Sequence, residues 1–236
     1  MMKTFKILSA LLTYPSQDLI MAAPEFRAVL DSENLVPAVQ RRALDILIEQ
    51  IATGELYDLQ EDYGLLFDRS RTLALHLFEH VHGESRDRGQ AMVDLKKLYE
   101  DASFSITANE LPDFVPLFLE FLSTQPVAAA RDLLAQPAHI MAAMAERLGR
   151  RKSSYRAIFD TLVAIIAEAP QREMVDELLK GPDPDPMDFA ALDAAWEEEE
   201  VRFGPGTQGQ SACGHESLAA RLRHATRAVK PAPSAV

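Results

Sequence analysis

The sequence has 236 residues, 47% of them apolar and 25% charged, and a formal net charge of −12, enough chain to bury one substantial core. The acidic balance argues against nucleic acid as a partner, because phosphate binding needs basic side chains to displace counterions, and it favours a basic partner instead. A lone cysteine, Cys213, permits neither an internal disulfide nor a cysteine-based zinc cluster, as expected of a reducing cytoplasm.

Lys3 and Lys6 precede Ile7, Leu8, Leu11 and Leu12, a pattern that resembles a signal peptide. The apolar run is short, is broken by Ser9 and Ala10, and stops at Tyr14-Pro15 without a small-residue cleavage site, so it predicts a first amphipathic helix. No later segment approaches the roughly 20 apolar residues needed to span a bilayer, and the chain is expected to be neither secreted nor integral to a membrane.

Apolar residues then recur at helical spacing, as in Leu56, Leu59, Tyr63 and Leu66, in Ala91, Leu95, Leu98 and Ala102, and in Tyr155, Ile158, Leu162 and Ile165. Alternating β-branched runs are missing, and Leu, Ala and Met dominate. Helix ends are expected near Pro15, Pro24, Pro37, Gly54, Gly83, Pro126, Pro137, Gly149, Pro170 and Gly181. The reading is an all-α, single-domain bundle of about ten helices over residues 1–180.

Two segments between these helices carry groups that suggest chemistry. HLFEH at 76–80 has the H-x-x-E-H spacing of one zinc peptidase class, and a helix there would put His76 and His80 on one face, beside Glu79 and near His82. A third ligand would have to come from a generic carboxylate such as Glu110 or Glu120, so a structural role for the histidine pair is favoured. GESRDRG at 83–89 offers Arg86 and Arg88 at a helix start, a possible cradle for phosphate or carboxylate. It lacks the P-loop frame, and Glu84 and Asp87 complement the helix dipole, with Glu84 placed to pair with Arg88; this second account is preferred.

NELPDFVPLFLEFL at 109–122 places Asp113 as an N-cap with Pro116 in the first turn. Phe114, Leu117, Phe118, Phe121 and Leu122 make the next helix apolar on most sides, and therefore central. Residues 181–187 form a Pro-rich linker, and 188–203 are expected to form an acidic helix carrying Phe189, Leu192 and Trp196. Residues 183–200 hold eight carboxylates and no Lys or Arg. The stretch 204–236, rich in Gly, Gln, Ser, Ala and Pro, is expected to lack fixed structure, and Cys213 beside His215 within it reads as inert.

FEHVHGESRDRGQAMVDL at 78–95, followed by ELPDF at 110–114 and LFLEFL at 117–122, closely resembles the delta subunit family of respiratory nitrate reductases, the NarJ/NarW type. YGLLFDR at 63–69 and WEEEEVRF at 196–203 fit the same family, so the likeness spans residues 3–203. More widely, Tyr63, Leu66 and Phe67 match a Y-x-x-L-F motif of the TorD/DmsD group of molybdoenzyme maturation chaperones. Glu110, Pro112 and Asp113 match its E-x-P-D-H motif, with Phe114 where the group has His. The departure at Phe114 removes any imidazole role in ligand contact there, and His76 lies outside the family signature.

The resemblance implies an all-helical, non-catalytic cytoplasmic chaperone. Its partner would be the N-terminal segment of the apo catalytic (alpha) subunit, held open for insertion of the molybdenum bis-guanine-dinucleotide cofactor before membrane docking, with no cofactor kept permanently. The expected contact is an amphipathic peptide whose apolar side meets Leu66, Phe67, Leu111 and their motif neighbours Tyr63 and Pro112. Its basic residues would meet Glu79, Glu110 and Asp113. Phe78, His80, His82, Gly83, Glu84, Arg86, Asp87, Arg88 and Gly89 are assigned to architecture. Two alternatives remain: a carrier holding the cofactor's pyrophosphate on Arg86, Arg88 and the Gly83 turn, and an HxxEH zinc peptidase.

Overall fold

The computed structural model describes residues 2–81, 86–106, 110–166, 168–181 and 183. The first helix, α1 (Lys3–Leu11), buries Phe5, Ile7, Leu8 and Leu11. Its unpaired first-turn N–H groups are satisfied from another helix: the Glu33 carboxylate accepts from the Lys3 and Thr4 N–H groups, each at 2.7 Å, and from the Thr4 hydroxyl. Partial burial pushes the Glu33 carboxyl up, but these hydrogen bonds prevail and hold it below its ordinary value.

Helix α2 (Gln17–Glu33) begins at Ser16, whose hydroxyl accepts from the Leu19 N–H at 3.2 Å. It stops at Asn34, whose left-handed φ of 48° lets its N–H reach the Leu30 carbonyl. Contrary to expectation, Pro24 does not end it. The ring faces solvent, while buried Leu19, Ala23 and Leu30 on either side seat both halves against their neighbours, so packing outweighs the one missing backbone hydrogen bond. The other predicted ends hold where described: α3 (Ala38–Thr53) starts after Pro37 and stops at Gly54, where a Cβ would meet the Gln50 carbonyl at 2.7 Å.

Next come α4 (Leu56–Tyr63), a π-helical turn (Gly64–Asp68), two 3₁₀ turns (Arg71–Leu73 and Leu77–Glu79) and α5 (Arg86–Asp101). The second half holds α6 (Val115–Thr124), α7 (Val127–Ala135), α8 (Ala138–Arg150), α9 (Arg156–Ile165) and α10 (Arg172–Leu179). Helix α6 is central as predicted, burying Val115, Pro116, Phe118, Leu119, Phe121 and Leu122 against α1 and α7. Helix α8 packs on α9 and α10, α3 packs on α9, and one continuous core joins them.

The fold is all-α; among the described residues β pairing is confined to one antiparallel bridge, His76 with Phe114. No described helix is long and apolar enough to cross a membrane. The predicted acidic helix at 188–203, the stretch 204–236 and nearly all of the linker lie outside the described residues.

Candidate functional site

The two sequence motifs singled out around Glu79 and Asp113 meet in space. Segments 75–77 and 113–115 run antiparallel: the Val115 N–H donates to the Leu75 carbonyl at 2.8 Å and the Leu77 N–H to the Asp113 carbonyl at 3.1 Å. Asp113 is fully buried, and its carboxylate accepts from the Phe78 N–H at 3.0 Å and lies 3.3 Å from His76 Nδ1. It therefore does not cap α6, whose first turn follows Phe114 with no side-chain cap. A carboxylate two residues before a helix has two ways to be satisfied, and here a backbone N–H 35 positions away provides the better one.

The HLFEH segment is not an α-helix. His76 is extended in the bridge and Leu77–Glu79 form one 3₁₀ turn, so the two imidazoles take separate partners instead of sharing a face. His76 stacks on Phe114 with ring centroids 5.3 Å apart, whereas His80 Nε2 lies 2.8 Å from the Ala74 carbonyl. The hydrogen bond to Asp113 outweighs partial burial and raises the His76 pKa; burial dominates at His80 and lowers it. Among the described residues no three His, Cys, Asp or Glu side chains form a group that would hold a metal.

Around this buried network lies a surface strip. Leu111 is 47% exposed, Glu110 and Glu79 are exposed, and Pro112 is fixed from below by the Tyr99 hydroxyl, which donates to its carbonyl at 2.7 Å. Arg88 reaches Glu79 at 3.5 Å. Asp87 and Gly89 are exposed on α5, where a Cβ at Gly89 would meet nothing. His82, Gly83, Glu84 and the Arg86 side chain lie outside the described residues, so the predicted Glu84 to Arg88 pair does too.

The YGLLF motif is more interior than expected. Tyr63 and Phe67 are buried and pack on Tyr155, with centroids 6.2 and 5.2 Å away, and the Tyr63 hydroxyl donates to the Leu12 carbonyl at 2.9 Å. Burial above all, then the charges of Asp68, Tyr155 and Glu110, push the Tyr63 phenol far up. The π-helical turn widens the backbone after Tyr63, leaving Leu66 half-buried at the surface.

Leu66 also lies on the wall of an open cleft of about 930 Å³. One side is α4, with Glu55 before it and Asp58 and Asp62 on it; the other is the α8–α9 loop with Arg150, Arg151 and Lys152. Sequence reading missed this cleft. The only local signal was the GRRK run at 149–152, which gives no hint of what faces it.

These features define an all-helical protein with an apolar, acid-edged surface strip held by buried polar contacts. The family model for the nitrate reductase delta subunit matches residues 32–161, and the chain belongs to that family. It is 41% identical over 228 residues to the nitrate reductase molybdenum cofactor assembly chaperone NarJ of Escherichia coli (strain K12), covering 95% of this chain and 93% of that protein. It is 36% identical to the probable assembly chaperone NarW of the same strain, over 86% and 84% of the two chains. It is 30% identical to the probable NarJ of Bacillus subtilis (strain 168), over 73% and 93%.

Proposed function

We propose that this chain is a molybdenum cofactor assembly chaperone for a nitrate reductase. It binds the apo catalytic subunit through that subunit's N-terminal segment and keeps it competent for cofactor insertion before membrane docking. It acts in the cytoplasm by binding and not by catalysis, and retains no cofactor itself. Membership of the delta subunit family and the likeness to the NarJ and NarW assembly chaperones support the assembly role.

The observation that carries the contact surface is Leu111, exposed between Glu110 and a backbone fixed by buried Asp113. An amphipathic basic helix lays its apolar side on Leu111 and Leu66 and its cations on Glu79 and Glu110. Tyr63, Phe67, Pro112 and Asp113 act beneath the surface, setting its shape. This preorganisation limits the ordering cost of binding, because the receiving backbone is already held.

The test is calorimetric titration with a synthetic peptide of the catalytic subunit's N-terminus. Glu79→Lys/Glu110→Lys is expected to weaken binding at least about tenfold, roughly 1.4 kcal/mol, with helical content unchanged. Wild-type affinity in that variant would rule the surface out.

A further inference from the structure

The cleft between α4 and the α8–α9 loop is where the described chain comes to an end. Asp183, the last described residue, lines it, with its carboxylate accepting from the Arg151 guanidinium and from the Thr72 hydroxyl, each at 2.6 Å. The peptide leading up to it is fastened as well, since the Arg147 guanidinium donates to the Leu178 carbonyl at 2.6 Å and to the Thr72 carbonyl at 2.9 Å. The next part of the sequence therefore starts from a fixed point at the cleft's edge.

Two features mark the wall of the cleft opposite α4. Arg150 and Lys152 stand exposed on its rim, Lys152 in a left-handed conformation with φ of 56°. The Tyr155 hydroxyl, buried in its wall, has no hydrogen-bond partner among the described residues. Leu59, Leu65 and Leu66 supply a half-buried apolar lining.

We infer that the cleft is the docking site of the chain's own acidic segment, residues 188–203. The six residue-to-residue steps from Asp183 to Phe189 reach at most about 20 Å when extended, and Pro184 and Pro186 favour extension. That delivers Phe189, Leu192 and Trp196, one face at helical spacing, to the leucines. It also delivers Glu197, Glu198, Glu199 and Glu200 to Arg150 and Lys152, while Arg202 complements Asp58 and Asp62 on the opposite wall. A docked acceptor satisfies Tyr155. Tethering makes the association intramolecular, so modest contacts suffice. Because Leu66 borders this cleft, the docked segment competes with other chains for that part of the surface. The inference stands apart from the client reading, since it concerns contacts within one chain.

Trp196 is the only tryptophan in the sequence, so its fluorescence in the full chain reports docking directly. The expected result at low salt is a blue-shifted emission protected from acrylamide. In Arg150→Glu/Lys152→Glu, both exposed positions, emission should shift red and quenching should rise to the level of the urea-unfolded chain, with far-UV circular dichroism unchanged. High salt should act in the same direction on the wild type. A second charge reversal, Lys96→Glu, at an exposed position on α5 outside the cleft lining, should leave the tryptophan protected. Solvent-exposed emission in the wild type overturns the inference. So does protection that persists in the loop variant, because the segment then docks elsewhere. If the loop variant fails to fold, the salt titration of the wild type decides by the same two criteria.

Discussion

Replacing Asp113 by alanine separates a supporting residue from a contact residue. The carboxylate is fully buried and holds the Phe78 N–H at 3.0 Å beside His76 at 3.3 Å. Removing it leaves a buried N–H without its acceptor, about 1–3 kcal/mol, and deletes a charge-assisted hydrogen bond of similar size, partly offset by no longer burying a charge. The net expectation is a destabilisation of about 2–4 kcal/mol, with a fall in melting temperature on the order of 5–10 °C for a domain of this size. Asp113→Asn keeps an acceptor for Phe78 and should lose about half as much. Urea unfolding followed by circular dichroism measures both, and the slope should not change if only stability is altered. Below the unfolding transition, Asp113→Asn should bind the catalytic-subunit peptide within about twofold of wild type, well under the tenfold that 1.4 kcal/mol represents. A fully stable Asp113→Ala, or an Asp113→Asn that folds normally but no longer binds peptide, would refute the assignment.

Other perturbations follow from the same geometry. His76 holds its proton more tightly folded than unfolded, so its contribution is complete below the ordinary histidine value and is lost as pH rises through the raised one. His80 holds its proton less tightly, so its contribution is complete above that value and is lost as pH falls through the lowered one. His76→Gln should therefore lose most stability at acid pH and His80→Gln most at neutral pH, seen as opposite tilts in urea midpoints measured from pH 5.5 to 8; parallel profiles would contradict this. Gly54→Ala forces a Cβ to within 2.7 Å of the Gln50 carbonyl, whereas at Gly149 the close atom is the tip of the Arg156 side chain. Thermal melts should show Gly54→Ala destabilised by about 1–3 kcal/mol and Gly149→Ala nearly unchanged. Tyr63→Phe removes the hydrogen bond to the Leu12 carbonyl, expected to cost about 1 kcal/mol of stability in urea unfolding while sparing peptide affinity.

Helix faces of full length could be read from the sequence. Tyr155 at the N-cap of α9 and Ile158, Leu162 and Ile165 on it are all buried, and α6 is as central as its apolar composition required. Periodicity failed where the segment was too short to show it. Five residues from His76 to His80 fit a helix as well as a bridge followed by a 3₁₀ turn, and only the segment around Phe114 decides between them. Asp113 was misplaced for the same reason: its acceptors face an N–H 35 residues away, a contact that local capping rules do not see. Pro24 shows the converse, a strong local breaker overridden by packing on both flanks. Leu111 and Glu110 enter as contact residues through the family motif, because their pattern alone fits core and cap equally well. The cleft could not be read, since α4 and the loop after α8 are distant in sequence.

The way α1 is held bears on how the chain folds during synthesis. Its seat is α6, with the Ser9 hydroxyl donating to the Pro116 carbonyl across 107 positions and the Met2 N–H to the Ser123 carbonyl. The first of the described helices to be made thus waits for α6 before its seat is complete. Until α6 emerges, Phe5, Leu8 and Leu11 have only α2 to cover them, and contacts this distant in sequence form slowly. A protein that guards another chain during assembly would itself pass through a stage with an uncovered apolar helix, and extensions placed before Met2 would bear directly on that closing contact.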